Sequence, residues 1–152
     1  MKGGFLMKKA LVAIDQSDIS KSLISYSFRY ARQIGIEHLD FIHVMTYKDM
    51  TVPGYVDYSA HLDEEKVQQE MERIILEGKA DSGVEAVPYE LIMTGGTPYA
   101  EIVEMAEKNK YELILIGHRG LSNLERFFIG SVAAKVVRYA PCDVLVHRPK
   151  EE

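Results

Sequence analysis

Cysteine is nearly missing from this chain. The lone Cys142 among 152 residues rules out an intramolecular disulfide framework and any metal site built from several thiolates. Such scarcity fits a reducing compartment, and the expected location is the cytoplasm. Long apolar runs are missing too. No stretch approaches the roughly 18 uninterrupted apolar residues of a membrane span. Met1 to Leu6 hold only a short apolar patch before Lys8 and Lys9, less than the about 7–15 apolar residues at the heart of a signal peptide. A soluble protein with no membrane partner is expected, with Met7 a second candidate start and residues 1–7 a candidate extension. Basic runs are also absent. The formal charge is −5 and acids and bases are interspersed, so nucleic acid is not an expected partner. Nor is any Gly followed by Lys-Ser or Lys-Thr at the spacing of a P-loop.

What is present suits one compact domain over residues 1–152, with 47% hydrophobic content to build its core. The run Ala10-Leu11-Val12-Ala13-Ile14 inside Lys8 to Asp15 is continuous rather than alternating, the pattern of a strand covered on both faces. Ser17, Asp18 and Ser20 are candidate caps for a helix burying Leu23, Ser27, Tyr30, Ala31 and Ile34, with Gly35 where a C-terminal cap belongs. His38 to Thr46 reads as the second strand. From Tyr47 to Ala60 periodicity disappears around a Pro-Gly turn, as in a long exposed loop of the kind that serves as a lid. Helical spacing returns from His61 to about Ser82 through Val67, Met71, Ile74 and Ile75. A third strand is expected from Ala86 to Met93, with Pro88 either at a sheet edge or at the strand's start. Thr97 then caps a helix opening at Pro98 and burying Tyr99, Ile102, Val103 and Ala106. Strand four is Tyr111 to Ile116. Ser122 and Glu125 form a capping-box pattern for a short turn through Phe128. The last helix, Ser131 to Tyr139, packs through Ala133, Val136, Val137 and Ala140, and Cys142 to His147 is strand five.

Strands alternating with helices predict a doubly wound, Rossmann-like α/β fold: a five-stranded parallel sheet with helices on both faces. The order 3-2-1-4-5 puts the most apolar strands, one and four, in the centre and the Pro88 strand at an edge. In such sheets ligands bind beyond the carboxyl ends of the strands, where successive connections leave in opposite directions. Asp15 and Gly117 then meet across a crevice, with Val44 as the next wall.

The most telling stretch is Glu112 to Val137. A buried strand empties into Gly117-His118-Arg119-Gly120, nine residues intervene, and Gly130-Ser131 opens a helix. Backbone N–H groups can converge on an anion where no side chains intrude. Main-chain donors around Gly117 to Gly120 and at Gly130, Ser131 and Val132 therefore form a phosphate cradle in this reading, aided by the Ser131 hydroxyl and the Arg119 guanidinium. A side chain at Gly130 would occupy the phosphate position. Competing roles stay open for several residues. Asp15 serves either a ribose hydroxyl or the cap of the first helix, Ser131 caps its own helix or binds phosphate, and Arg119 is a ligand or a solvated charge. His118 reaches phosphate only through its backbone. His43 and His147 read as packing or interface residues rather than metal ligands, and Cys142 as a small core residue.

The phrase Gly117, two residues, Gly120, nine residues, Gly130, Ser131 resembles the nucleotide-binding branch of the universal stress protein family. So do Leu121-Ser122 and the closing Tyr139-Ala140-Pro141-Cys142-Asp143-Val144-Leu145-Val146, and the likeness extends over nearly all of Lys8 to Arg148. Gln16, where many members have Gly, and Asp143, where many have Pro, depart from the family pattern. The resemblance implies ATP, with Mg²⁺, as the ligand. It implies contacts from Ala13, Ile14 and Asp15 at the first strand, from the backbone of Val44 to adenine, and from Gly117, His118, Arg119, Gly120, Gly130, Ser131 and Val132 to the phosphates. It also implies a homodimer through the edge strand Cys142 to Arg148. The function expected is that of an ATP-binding stress-response or regulatory protein, at most a slow ATPase with no identified catalytic residue. Alternatives are a nucleotide hydrolase or phosphotransferase proper, and a dimeric interaction module with a vestigial nucleotide site.

Overall fold

The computed structural model describes residues 7–46, 59–119 and 129–150. The expected loop 47–60 therefore lies outside the described residues except at its end, and Gly120, Leu121 and the Ser122–Glu125 capping box lie outside them altogether. In chain order the elements are β1 (Lys9–Ala13), α1 (Asp18–Ile34), β2 (His38–Met45), α2 (Ser59–Ser82), β3 (Tyr89–Gly95), α3 (Pro98–Lys108), β4 (Leu113–Gly117), α4 (Ser131–Tyr139) and β5 (Asp143–His147). All strand pairings are parallel, and the order is β3-β2-β1-β4-β5, as the apolar runs predict.

Both faces of the sheet are covered. On one, α1 and α2 close over Ala10, Val12, Leu39, Phe41 and Leu115 with Leu23, Ile24, Phe28, Met71 and Ile75. On the other, α3 and α4 close over Leu11, Ala13, Ile42, Ile114 and Ile116 with Ile102, Ala106, Ala133 and Val136. Alternate residues of β1 feed opposite cores, and for that reason its sequence shows no polar alternation. Phe28 is fully buried, its ring edge-on to Tyr89 and tilted against Phe41. The second helix on this face widens the buried stripe of α1. Ile24 and Phe28 join Leu23, Ser27 and Ala31, while Ile34 stays exposed. Gly78 of α2 lets the helices approach, since a Cβ there would stand 2.5 Å from Ile24 Cγ2.

Helix ends follow the local chemistry. Ser17 caps α1, its Oγ accepting from the Ser20 N–H at 3.4 Å, and Gly35 ends the helix at φ 85°. Thr97 occupies the N-cap position of α3, but its side chain makes no cap bond. Val103 of the same helix is only half-buried, and Val137 of α4 is half exposed. The strand bounds shift for identifiable reasons. Pro88 has no N–H for the ladder, so β3 begins at Tyr89, although the Pro88 carbonyl still accepts from Leu39 N–H at 3.1 Å. At its other end β3 pairs Thr94 with Val44 and Gly95 with Met45 before turning at Gly96. Tyr111 is not in β4. Its N–H reaches back to Ala106 O at 3.0 Å, with Lys110 at φ 53°, a left-handed helix ending that takes up the first residue of the expected strand.

Candidate functional site

The carboxyl ends of β1, β2 and β4 and the opening turns of α3 and α4 surround a cleft of about 250 Å³. Ala13, Ile14, Asp15, Val44, Gly117, Arg119, Gly130, Ser131 and Val132 line it, so segments far apart in sequence converge where the sheet's connections diverge. His118 lies beside it rather than in its wall. Eight further lining residues were not read as site residues from the sequence, among them Ser20, His43, Thr46, Pro98 and Ile102. Their signal was positional. His43 and Thr46 flank Val44 at the end of β2, and Pro98 and Ile102 open the helix that follows β3.

Asp15 is held by its neighbours. Its Oδ1 accepts from Ser17 N–H at 2.8 Å and from the Ser20 hydroxyl at 2.9 Å, while its own N–H donates to Ser20 Oγ at 2.7 Å. One carboxylate oxygen thus braces the turn into α1. His43 Nδ1 lies 2.9 Å from the Ile14 carbonyl; because a carbonyl can only accept, Nδ1 is the donor. This bond ties the end of β2 to the residue before Asp15.

At the other wall, Gly130 stands in the N-cap position of α4 with no side chain to cap it. Ser131, Val132 and Ala133, the first three residues of the helix and all in the cleft lining, therefore keep N–H groups without an intrahelical acceptor, at the positive end of the helix dipole. Two of the expected donors are otherwise engaged. The Gly130 N–H donates to His118 O at 2.5 Å, and the His118 N–H donates to His147 O at 2.9 Å. Ser131 is exposed at the mouth of the cleft, and Arg119 forms no ion pair with an acid among the described residues. Gly117 fits where a Cβ would come within 2.6 Å of Ile19 Cγ2.

Two histidines sit behind this wall. His118 is buried, and its Nδ1 finds no partner among the described residues. Burial first, then the nearby Arg148 charge, pushes its pKa below the ordinary histidine value. His147 stacks on Tyr26 with centroids 4.6 Å apart and its Nε2 lies 2.9 Å from Ser22 Oγ; burial and Arg29 lower its pKa as well. Both groups resist protonation more in the folded protein than in the unfolded chain, so the unfolded state takes up protons first as pH falls. Their contribution to stability is intact above about pH 6.5, the unperturbed histidine value, and is lost as pH drops below it. Thermal melts should therefore show a lower Tm at pH 5.5 than at pH 7.5, with a shallower pH slope in His147→Gln.

This architecture and its sequence place the protein in a known class. The model of the universal stress protein family matches residues 7–148, and the chain belongs to that family. It is 31% identical over 153 residues to the universal stress protein MJ0531 of Methanocaldococcus jannaschii, covering 99% of this chain and 88% of the relative. Among solved structures it resembles UspA of Lactobacillus plantarum (TM-score 0.79, 21% identity, 94% of this chain and 99% of that one). It also resembles a universal stress protein in complex with cAMP (TM-score 0.66, 20% identity, 94% and 98%). A third is that of Archaeoglobus fulgidus in complex with dAMP (TM-score 0.61, 21% identity, 95% and 100%).

Proposed function

We propose that this protein binds an adenine nucleotide in the cleft, ATP with Mg²⁺ by preference, and acts as a regulatory stress-response protein of the cytoplasm rather than as an efficient enzyme. The observation that carries this reading is the meeting of Asp15, Gly117, Gly130, Ser131 and Val44 around one cleft onto which α4 opens. The relatives bound to cAMP and dAMP support an adenine nucleotide as the class of ligand. The N–H groups of Ser131 and Val132 and the Arg119 guanidinium take the phosphates, the oxygen of Asp15 that braces no turn takes ribose hydroxyls, and Val44 with Ile102 walls the base. Among the described residues Asp15 is the only carboxylate in the lining. A Mg²⁺ ion would accordingly be carried chiefly by the triphosphate, and among the described residues no second carboxylate is placed to orient an attacking water. This favours holding over hydrolysis.

Mass spectrometry of heat-released ligand, together with calorimetry against MgATP, tests the reading. Saturable binding in the micromolar to low millimolar range is expected, with phosphate release slower than about one per second, near the low end of ordinary enzymes. Faster turnover would make the protein a nucleotide hydrolase, and no heat at millimolar ATP would leave an interaction module with a vestigial site.

The same reading includes a homodimer through Cys142 to Arg148. Among the described residues β5 pairs with β4 on one side only, and its Val144, Leu145 and Val146 are only partly covered. An unpaired, partly apolar edge is a template for a second copy. Light scattering should give twice the 17.2 kDa chain mass; a monomer at tens of micromolar would reject it.

A further inference from the structure

The opposite end of the sheet carries a second constellation that the nucleotide reading does not use. His38 opens β2, and Asp40, two residues on, projects from the same face. The register sets Asp40 directly beside Glu90 of β3. Ligand atoms of these three side chains all lie within 4.8 Å of one another, and His38 Nε2 is 2.7 Å from Asp40 Oδ1. They stand toward the amino ends of their strands, Asp40 being roughly 13 Å along β2 from Val44 of the cleft by the rise of about 3.3 Å per residue.

Two features set this group apart from an ordinary surface cluster. First, paired carboxylates on neighbouring strands repel, yet among the described residues no Lys or Arg forms an ion pair with either Asp40 or Glu90. Among the described residues the imidazole of His38 is the only potentially positive group at ion-pair distance from Asp40, and none stands at that distance from Glu90. Second, Asp40 is buried and held from behind. The Tyr111 hydroxyl, itself buried, donates to its Oδ2. Lys9 Nζ sits 4.5 Å from the centre of the Tyr111 ring, on the far partner and not on the carboxylates. Asp40 thus keeps Oδ1 directed at His38 while His38 and Glu90 stay accessible to solvent.

We propose that His38, Asp40 and Glu90 form a site for a divalent transition-metal ion, with Tyr111 as the residue that positions Asp40. One imidazole nitrogen and two carboxylate oxygens are a mixed donor set suited to Zn²⁺ or Co²⁺. They are too few oxygens for Ca²⁺, which takes about six to eight. Ligand atoms each about 2.0–2.2 Å from a tetrahedral Zn²⁺ lie a little over 3 Å apart. The three groups need only small side-chain adjustments to reach that spacing, and the proton held between Nε2 and Oδ1 leaves to solvent. Water completes the coordination from the open side. The sequence reading foresaw no metal site, because an i, i+2 pair on one strand becomes a triad only through the register of the next.

The experiment is titration of the metal-free full-length protein with Zn²⁺ by calorimetry, and with Co²⁺ by visible absorption. Saturable 1:1 binding tighter than about 100 µM is expected, with a Co²⁺ d–d band and with affinity at least about tenfold weaker in both Glu90→Gln and His38→Gln. Tyr111→Phe should weaken the metal about tenfold, the cost of losing an outer-shell partner, and shift the Co²⁺ band, which a merely structural role would not do. Failure to saturate by 1 mM, or unchanged affinity in both ligand variants, overturns the proposal. MgATP affinity measured on Glu90→Gln should match the wild type, so this test and that of the nucleotide cleft fail independently.

Discussion

Gly130→Val is expected to weaken MgATP binding by about 100-fold while leaving the domain folded. The backbone at Gly130, φ −63° and ψ 157°, suits any residue, so the objection is one of space. An added Cβ would lie 3.0 Å from Arg119 Cα and 3.3 Å from His118 O, both parts of the main chain. The sequence suggests that this glycine leaves room for phosphate; in the structure the room is for the peptide of residues 118 and 119. Valine adds methyl groups to an already tight contact, and the 2.5 Å bond from Gly130 N–H to His118 O must lengthen. The first turn of α4 then moves off the end of β4 and takes the amides of Ser131 and Val132 with it. Hydrogen bonds to charged groups are worth about 1.5–3 kcal/mol each, so misplacing one or two gives the stated loss. Ala133 and Val136 still anchor the helix, and the circular dichroism spectrum should be unchanged. Gly130→Ala, which asks its neighbours to yield only slightly, should fall between. Calorimetry showing wild-type affinity in the valine variant would reject the cradle.

Gly117→Val should act on stability first. Its Cβ would stand 2.6 Å from Ile19 Cγ2, and Ile19 is buried in the first turn of α1. Forcing extra atoms into a filled core costs about 1–3 kcal/mol, and a β-branched residue belongs at the upper part of that range. For a domain of this size each kcal/mol lowers Tm by roughly 2–4 °C. A fall of about 4–12 °C is therefore expected in a thermal melt. Because the tightest contact is with one methyl group, the next being the Arg119 carbonyl oxygen at 3.3 Å, Ile19→Ala in the same chain should be non-additive with it. The double variant should be at least about 0.5 kcal/mol more stable than the sum of the two losses. Additivity would show that the strain lies elsewhere. The same displacement would disturb Ser20, one residue on, and through it the oxygen of Asp15 that it holds.

Much of this molecule could be read from the chain alone, and for physical reasons. β1 and β4 are buried on both faces, so each announces itself as an unbroken apolar run. With the edge signal of Pro88, those two runs were enough to order the sheet. The cleft was legible because the carboxyl ends of central strands and a Gly-Ser helix start are fixed by topology. Other features depend on contacts between distant segments. The left-handed turn at Lys110 carries no glycine to mark it, and so Tyr111 looked like strand. The breadth of α1's buried stripe depends on a second helix lying across it. That the amides of His118 and Gly130 are engaged within the protein follows only from where β5 and α4 happen to sit.

The backbone at His118 works as a piece of carpentry. Its N–H grips β5 and its carbonyl grips Gly130 just before α4, so the two peptide planes hinged at one Cα are dowelled into the outermost strand and the rim of the cleft. Sliding the border of the sheet therefore tugs on the rim, and a molecule seated against that rim stiffens the border in return.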